Sequence, residues 1–506
     1  MLSVVKSMCL QGLDGILVNV EVDISNGMPC WDVVGLPDTT IKESKERIRT
    51  AIKNCGIELL SRKYIINLSP ANIKKDGGNF DLAIAVGILS SMNKIIQKNI
   101  EDTVFVGELS LNGKINKMNG ILPICIEAYN HNIKRIVVPK ENATEAAVVE
   151  GIEVIGVSNL IEVINFLNGK IKIAKQHAYI KSMLRESQNY DVDFLEVKGN
   201  EAVKRVLEIA AAGAHNCLMI GSPGCGKTML ARRIPSILPN LTFEEALEIT
   251  KIHSIAGLLK GESLITTRPF RSPHHTITEV GLVGGGRIPK PGEISLAHYG
   301  VLFLDELLEF KKNTLEVLRA PMEDRKITIS RTGISLTYPS NFILIASTNP
   351  CPCGYYGSKK KECICTENQR NAYKSKLSGP MLDRFDIQIQ VPEIEYEKLE
   401  IKEGESSKII QKRVNLARDR QIKRYKKDGF FSNSELTPKY IEKYCRLNEE
   451  ANSILKNSFQ KLNLSARAYS KILKVSRTIA DLDDSNIIET EHILEAIQYR
   501  SLDRMI

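Results

Sequence analysis

The stretch Gly221-Ser222-Pro223-Gly224-Cys225-Gly226-Lys227-Thr228 fits the pattern G-x-x-x-x-G-K-[ST] at every position. Its surroundings constrain the fold further. His215 to Ile220 is a short apolar run that reads as a strand, and Met229 to Ile237 reads as the helix that follows. A glycine loop between strand and helix turns backbone N–H groups towards a phosphate chain. Gly221, Gly224 and Gly226 permit the tight turn because they lack a Cβ. Lys227 would reach the β- and γ-phosphates, and the Thr228 hydroxyl would hold Mg²⁺. ATP and Mg²⁺ are therefore the expected cofactors, and the middle of the chain is expected to be an α/β phosphate-binding core.

At 506 residues the chain has room for about three domains. No apolar run approaches the roughly 20 residues needed to span a bilayer. The start, Met1-Leu2-Ser3-Val4-Val5-Lys6, lacks a signal peptide's charged opening and long apolar core. A cytoplasmic location without membrane attachment is the expectation. The net charge of +9 is compatible with a polyanionic partner.

Residues 1–170 read as one α/β unit. Ile16 to Ile24 alternates as a strand does, Thr40 to Cys55 has helical spacing, Tyr64 to Leu68 is a second strand, and Phe80 to Ser91 is an apolar helix. Residues 171–195 are polar and poor in pattern, as in a linker. Residues 196–395 hold the nucleotide chemistry. Residues 396–506 are helical in pattern, with short loops.

Val301-Leu302-Phe303-Leu304 is an apolar run ending in Asp305 and Glu306. Downstream of a P-loop, such a strand delivers an acid to the Mg²⁺ side at its C-terminal end, here Asp305. Glu306 is the candidate general base for the attacking water. A second buried strand, Phe342 to Thr348, ends in Asn349, which could orient that water or simply form a turn before Pro350. Gly379 to Asp386 contains Arg384 between acids. An Arg so placed commonly makes a surface pair of little worth, but its order in the chain suits an arginine finger acting on a neighbouring subunit's nucleotide. Ser465 is a plausible N-cap, and Arg467 behind it could reach the γ-phosphate from a lid.

Several further segments stand out: Arg268-Pro269-Phe270-Arg271-Ser272-Pro273-His274-His275, Gly284-Gly285-Gly286, Pro291 to His298, and Asn349-Pro350-Cys351-Pro352-Cys353-Gly354. With the P-loop, the acid-tipped strand and Gly379 to Asp386, they resemble the YifB/ComM family of magnesium-chelatase-like AAA+ ATPases along essentially the whole chain. The resemblance implies an α/β fold: an AAA+ P-loop ATPase core, an N-terminal Lon-protease-like α/β domain and a C-terminal helical lid. It implies Asn349 as sensor 1, Arg384 as arginine finger, Arg467 as sensor 2, and a homo-hexameric ring. It also implies ATP-driven DNA unwinding and branch migration in recombination, including integration of transforming DNA. A magnesium-chelatase motor subunit and a protein-remodelling ATPase are the alternatives.

Arg325 to Tyr338 reads as a hairpin turning at Arg331-Thr332-Gly333. Related motors carry a pore-facing hairpin at this place, and Arg331 at its tip could contact a phosphate backbone. Leu264 to Ile294 is a basic, Gly-rich insert whose Arg268, Arg271 and Arg287 are further DNA-contact candidates. His274 and His275 are expected to point oppositely on an extended segment, which argues against a shared metal. Ser407 to Lys427 is a basic helix, with Ile409, Ile410, Val414, Leu416 and Ile422 expected towards the core.

Cys351, Cys353, Cys363 and Cys365 form two C-x-C pairs, and four thiolates can enclose Zn²⁺ tetrahedrally. Disulfides or free buried cysteines are the other readings. A structural zinc would brace Asn349 at one end and the approach to Arg384 at the other. In the N-terminal domain, Lys75 to Asp81 and Gly107 to Pro123 resemble Lon's active-site segments. Asn79 stands where Lon has its nucleophilic Ser, and Leu122 where it has its catalytic Lys. An amide and an isobutyl group cannot act as a Ser–Lys dyad, so no peptidase activity is expected.

Overall fold

The computed structural model describes residues 2–178, 180, 183–184, 190–286, 289–331, 334–393, 404–462 and 464–500. The chain divides into two compact units, Met1–Arg185 with Ala246–Ile265, and Glu186–Glu245 with Thr266–Ile506. The expected boundary at 395/396 and Arg287 lie outside the described residues.

The strands of the first unit are β1 (Leu2–Gln11), β2 (Asp14–Ser25), β3 (Cys30–Val34), β4 (Lys63–Ser69), β5 (Thr103–Phe105), β6 (Glu108–Leu109), β7 (Ile115–Asn116), β8 (Arg135–Pro139) and β9 (Glu153–Val157). Seven form a mixed sheet in the order β3-β4-β2-β1-β5-β8-β9, and β6 pairs with β7. Alternation along β2 buries Val18, Val20, Val22 and Ile24 on one face. The helix Thr39–Asn54 starts where the Asp38 carboxylate accepts from the Ile41 N–H at 2.8 Å. The helix Asp81–Ser91 is buried at every position, which suits its unbroken apolar run.

Asn79 and Leu122 are both buried in this unit. The Asn79 amide donates to the Met8 carbonyl at 2.7 Å, and Leu122 is fully enclosed in the helix Ile121–Asn130. Ala246–Ile265 groups with this unit and meets it in a buried polar cluster. Glu145 accepts from the Ser254 hydroxyl and from the Leu122 N–H, and Gly120 N–H donates to Ser254 Oγ at 3.0 Å.

The second unit holds β10 (Cys217–Ile220), β11 (Phe270–Arg271), β12 (Gly284–Gly285), β13 (Lys290–Pro291), β14 (Val301–Leu304), β15 (Lys326–Arg331), β16 (Ile334–Pro339), β17 (Ile343–Thr348) and β18 (Ile387–Gln390). Five make a parallel sheet in the order β11-β14-β17-β10-β18. β14 is buried at all four positions and β17 at all six, as expected of strands covered on both faces. β15 and β16 form the expected hairpin, with Arg331 opposite Ile334. The Arg331 side chain, Thr332 and Gly333 lie outside the described residues.

The C-terminal helices include Ser407–Tyr425, Glu449–Leu462, Ala466–Leu482 and Thr490–Gln498. They share one hydrophobic core with the sheet: Met219, Phe303, Ile345 and Ile387 join Val414, Tyr425, Ile472, Ile479 and Ile493 in a single cluster. No helix among the described residues is long and apolar enough to cross a membrane.

Candidate nucleotide-binding site

β10 leads directly into the glycine loop, and the helix Lys227–Arg233 follows it. The expected helix to Ile237 gives way to a 3₁₀ turn over Ile234–Ile237, with Pro235 inside it. Two of the loop glycines are needed for their dihedrals, Gly224 at φ +79° and Gly226 at φ +91°. Gly221 is needed for space. A Cβ there would lie 2.7 Å from both Cys225 Sγ and the Val391 carbonyl oxygen.

Lys227 is buried. Its ammonium donates to the carbonyls of Gly221 (2.7 Å) and Ser222 (3.0 Å) and to Asn349 Oδ1 (3.3 Å). The Thr228 hydroxyl donates to Asp305 Oδ2 at 2.6 Å, and the Ser347 hydroxyl donates to Asp305 Oδ1. β10, β14 and β17 thus bring Lys227, Thr228, Asp305, Ser347 and Asn349 to the C-terminal edge of one parallel sheet. Ligands bind at that edge in open α/β sheets. The residues fit ATP and Mg²⁺. The loop offers backbone N–H groups and an ammonium for phosphate, while the hydroxyl–carboxylate pair offers oxygen ligands for a hard cation. Ser347 is a member that sequence reading missed. Its signal was faint: one hydroxyl two places before Asn349 on a buried strand.

Glu306 is exposed and adopts a left-handed conformation, φ +53° and ψ +51°. That turn costs a non-glycine residue roughly 1–2 kcal/mol. Its N–H is held by Asp305 Oδ1 at 3.2 Å and Ser347 Oγ at 3.4 Å, so the carboxylate leaves the strand direction just past Asp305. Tyr373, also unforeseen, is buried nearby. Burial pushes its hydroxyl up to about 12, and the Thr348 hydroxyl and the carboxylates of Glu309 and Glu306 act on it as well.

Arg384 is paired within its own chain. Its guanidinium meets Glu323 Oε1 at 2.5 Å and donates to the Pro380 carbonyl at 3.1 Å, and its Nε is buried with no partner. Asp386, two residues on, is held by Lys471 at 2.9 Å, by the Asn216 N–H at 3.0 Å and by His215 at 3.6 Å. Burial alone works against its carboxylate. Lys471 and His215 outweigh that and hold the Asp386 pKa well below its ordinary value. Ser465 caps the helix Ala466–Leu482 through the Ala468 N–H, as expected, and Arg467 lies exposed 3.6 Å from Asp383.

The four cysteines lie together. Their sulfurs are all within 4.8 Å of one another, and among the described residues they are the one group of three or more His, Cys, Asp or Glu so placed. Cys351 Sγ is 3.4 Å from Cys353 and 3.6 Å from Cys363, and Cys353 is 3.6 Å from Cys363. A zinc with sulfurs at about 2.3 Å gives tetrahedral edges of about 3.8 Å. A disulfide needs about 2.05 Å. The cysteines are free thiols set at distances that fit a tetrahedral metal.

Arg268 pairs with Glu245 and donates to the carbonyls of Pro239, Asn240 and Tyr299. Arg271 forms a two-pronged pair with Glu293, at 2.6 and 2.7 Å. Both guanidinium groups are satisfied within the chain by carboxylates and carbonyls. The rings of His274 and His275 do not point oppositely but lie 4.0 Å apart between centroids. On the helix Ser407–Tyr425, Ile410 and Val414 are buried as expected, whereas Ile409 and Leu416 are exposed. Two of its arginines are paired with acids: Arg413 meets Glu208 and Glu405, and Arg424 meets Asp481.

The parallel sheet, the glycine loop on β10, the acid pair on β14 and the polar residue closing β17 define the core of an AAA+ ATPase. Family models agree along the chain. Residues 193–399 match magnesium chelatase, subunit ChlI; residues 20–142 match subunit ChlI of Mg-chelatase; residues 404–500 match the magnesium chelatase subunit ChlI C-terminal model. The chain is 42% identical to the uncharacterized protein YifB of Escherichia coli, over 100% of this chain and 98% of that protein. It is 39% identical to the competence protein ComM of Haemophilus influenzae, with the same coverage. The chloroplastic magnesium-chelatase subunit ChlI of Nicotiana tabacum is 22% identical, over 49% of this chain and 57% of that protein. The chain belongs to the YifB/ComM family.

Proposed function

We propose that this chain is the subunit of a homo-hexameric ATPase that moves along DNA and drives branch migration during recombination and integration of transforming DNA. The observation that carries the motor reading is the convergence of Lys227, Thr228, Asp305 and Asn349 at one sheet edge. The likeness to a competence protein over the full length supports the choice of DNA. So does the β15–β16 hairpin that leads into β17.

ATP with Mg²⁺ supplies a charge-neutralised γ-phosphoryl group for attack by water. Lys227 exchanges its loop carbonyls for phosphate oxygens. Thr228 and Asp305 would hold Mg²⁺, with Ser347 fixing the Asp305 carboxylate. Glu306 takes the proton of the attacking water, and Asn349 orients that water. Arg384 leaves Glu323 to act on the neighbouring subunit's nucleotide, and Arg467 reaches the γ-phosphate of its own. The four cysteines would hold a structural Zn²⁺ through their sulfurs, and such a metal would supply stability rather than chemistry. Asn79 and Leu122 leave the N-terminal unit without a peptidase dyad.

The test is steady-state ATPase activity with no addition, single-stranded DNA, duplex DNA and a branched junction, with Lys227→Ala as blank. DNA should stimulate turnover, and the stimulation should weaken as salt rises. Absence of stimulation in an active protein overturns the DNA reading. The family models favour one other reading, the motor subunit of a magnesium chelatase. Stimulation by porphyrin and its binding partner, rather than by DNA, would select it.

A further inference from the structure

We propose that the four-cysteine knuckle is a metal-dependent brace for the P-loop, so that metal occupancy of the knuckle sets how tightly the chain holds nucleotide. The inference rests on reading the four thiols as a metal site. It goes further by linking that site to the phosphate-binding loop through named contacts.

The first contact is Gly354 on Pro223. Gly354 follows Cys353 in a left-handed turn, φ +83°. A Cβ at Gly354 would fall 2.6 Å from Pro223 Cδ and 2.7 Å from Cγ, and 3.8 Å from Asn349 Cγ. The knuckle backbone is therefore pressed onto the ring of a P-loop residue, beside the amide that touches Lys227. Only a residue without a side chain can approach so closely. The second contact is Ser358, whose hydroxyl donates to Glu393 Oε1 at 2.6 Å. The hydroxyl of Ser358 first, then that of Ser222 with Lys360 and Lys359, hold the Glu393 carboxyl below its ordinary pKa. The third link is covalent: Asn349, Pro350 and Cys351 are consecutive, and Cys351 is fully buried.

The turn that presents Gly354 is organised by sulfur. Cys351 Sγ accepts from the Tyr356 N–H at 3.3 Å, Cys365 Sγ accepts from the Cys353 N–H at 3.4 Å, and Gly354 N–H donates to the Cys351 carbonyl at 2.9 Å. Four sulfurs within 4.8 Å of one another form a ready donor set for a single soft cation. Metal binding to such a site is folding energy for the loop that carries it. Loss of the cation would release Cys351-to-Cys365, and with it the surface on which Pro223 rests.

The test uses the full chain, purified under reducing conditions. Bound zinc is counted by elemental analysis, and affinity for a fluorescent ATP analogue is measured with Mg²⁺ in excess. The measurement is repeated after treatment with a zinc-selective chelator and again after zinc is returned. Circular dichroism reports whether the fold survives. The expected result is one zinc per chain, a loss of about tenfold in affinity on stripping, and recovery on zinc return. Gly354→Ala, with all four cysteines intact, should keep its zinc yet bind the analogue several-fold more weakly. A protein that carries no zinc and takes none up overturns the metal reading and the brace with it. Stoichiometric zinc whose removal leaves affinity unchanged overturns the brace and leaves the metal reading standing. If stripping unfolds the chain, Gly354→Ala decides: zinc retained with unchanged affinity overturns the brace.

Discussion

Asp386 shows how a single carboxylate ties the site together. It lies two residues after Arg384 and is held by Lys471, by the Asn216 N–H and by His215, with Lys474 also acting on its charge environment. Removing one member of a buried pair strands the other, at a cost of about 3 kcal/mol. Asp386→Asn should therefore lower the urea-unfolding free energy by about that amount at neutral pH. The native pKa lies below the unfolded value of 3.8, so the native state holds the proton less tightly than the unfolded one. The stability it contributes is complete above pH 3.8 and is lost as acidification proceeds below it. The gap between wild type and Asp386→Asn should be wide at pH 7 and should narrow below about pH 4, as followed by urea melts across pH. A gap that does not change with pH would argue against the ion pair as the source.

At the scale of elements, the β15–β16 hairpin is tied at its base in two directions. Glu323, in the helix Arg319–Asp324 before it, holds Arg384. Arg325, where the hairpin starts, meets Glu435 at 2.6 Å in the short turn Asn433–Glu435. Lys474 on the helix Ala466–Leu482 donates to the neighbouring Ser434 carbonyl at 3.0 Å. A force felt at Arg384 or at that helix therefore reaches the hairpin through a few polar contacts. Arg325→Glu should reduce DNA-stimulated turnover while leaving unstimulated ATPase close to wild type, and Glu435→Arg in the same chain should restore part of the stimulation. Equal loss of both activities, with no rescue, would place Arg325 in folding rather than in coupling. These ties also mark where sequence reading stopped. The strands β2, β14 and β17, the P-loop, the Ser465 cap and the hairpin itself are local patterns, and each was legible from neighbours in the chain. Arg384 with Glu323, Arg325 with Glu435 and Asp386 with Lys471 are joined only by tertiary packing, so no local period announces them. The pairs of Arg268 with Glu245 and of Arg271 with Glu293 are set in the same way, by packing rather than by a local period.

For the whole molecule, the reading of Arg384 as a finger for a neighbouring subunit has a consequence that no single chain can show. Glu306→Gln should abolish turnover at its own nucleotide, and Arg384→Ala should abolish it at the neighbour's. Mixed in one assembly, the two inactive chains should regain measurable ATPase activity, because some interfaces then combine an intact Glu306 with an intact Arg384. Activity that stays at the level of the separate variants would show that Arg384 acts within its own subunit.

The continuous core of the second unit limits how that subunit can move. Ile472, Ile479 and Ile493 are buried in the same cluster as Met219 and Ile345, so the C-terminal helices are not a flap on a swivel. Close-packed interiors resist opening, since each separated methylene loses about 0.8 kcal/mol. On the motor reading, that continuous core favours a nucleotide-driven stroke of shear, with helices sliding by small steps over the sheet while side chains interlock anew. The subunit would then act as a stiff cam, with short travel and little slack.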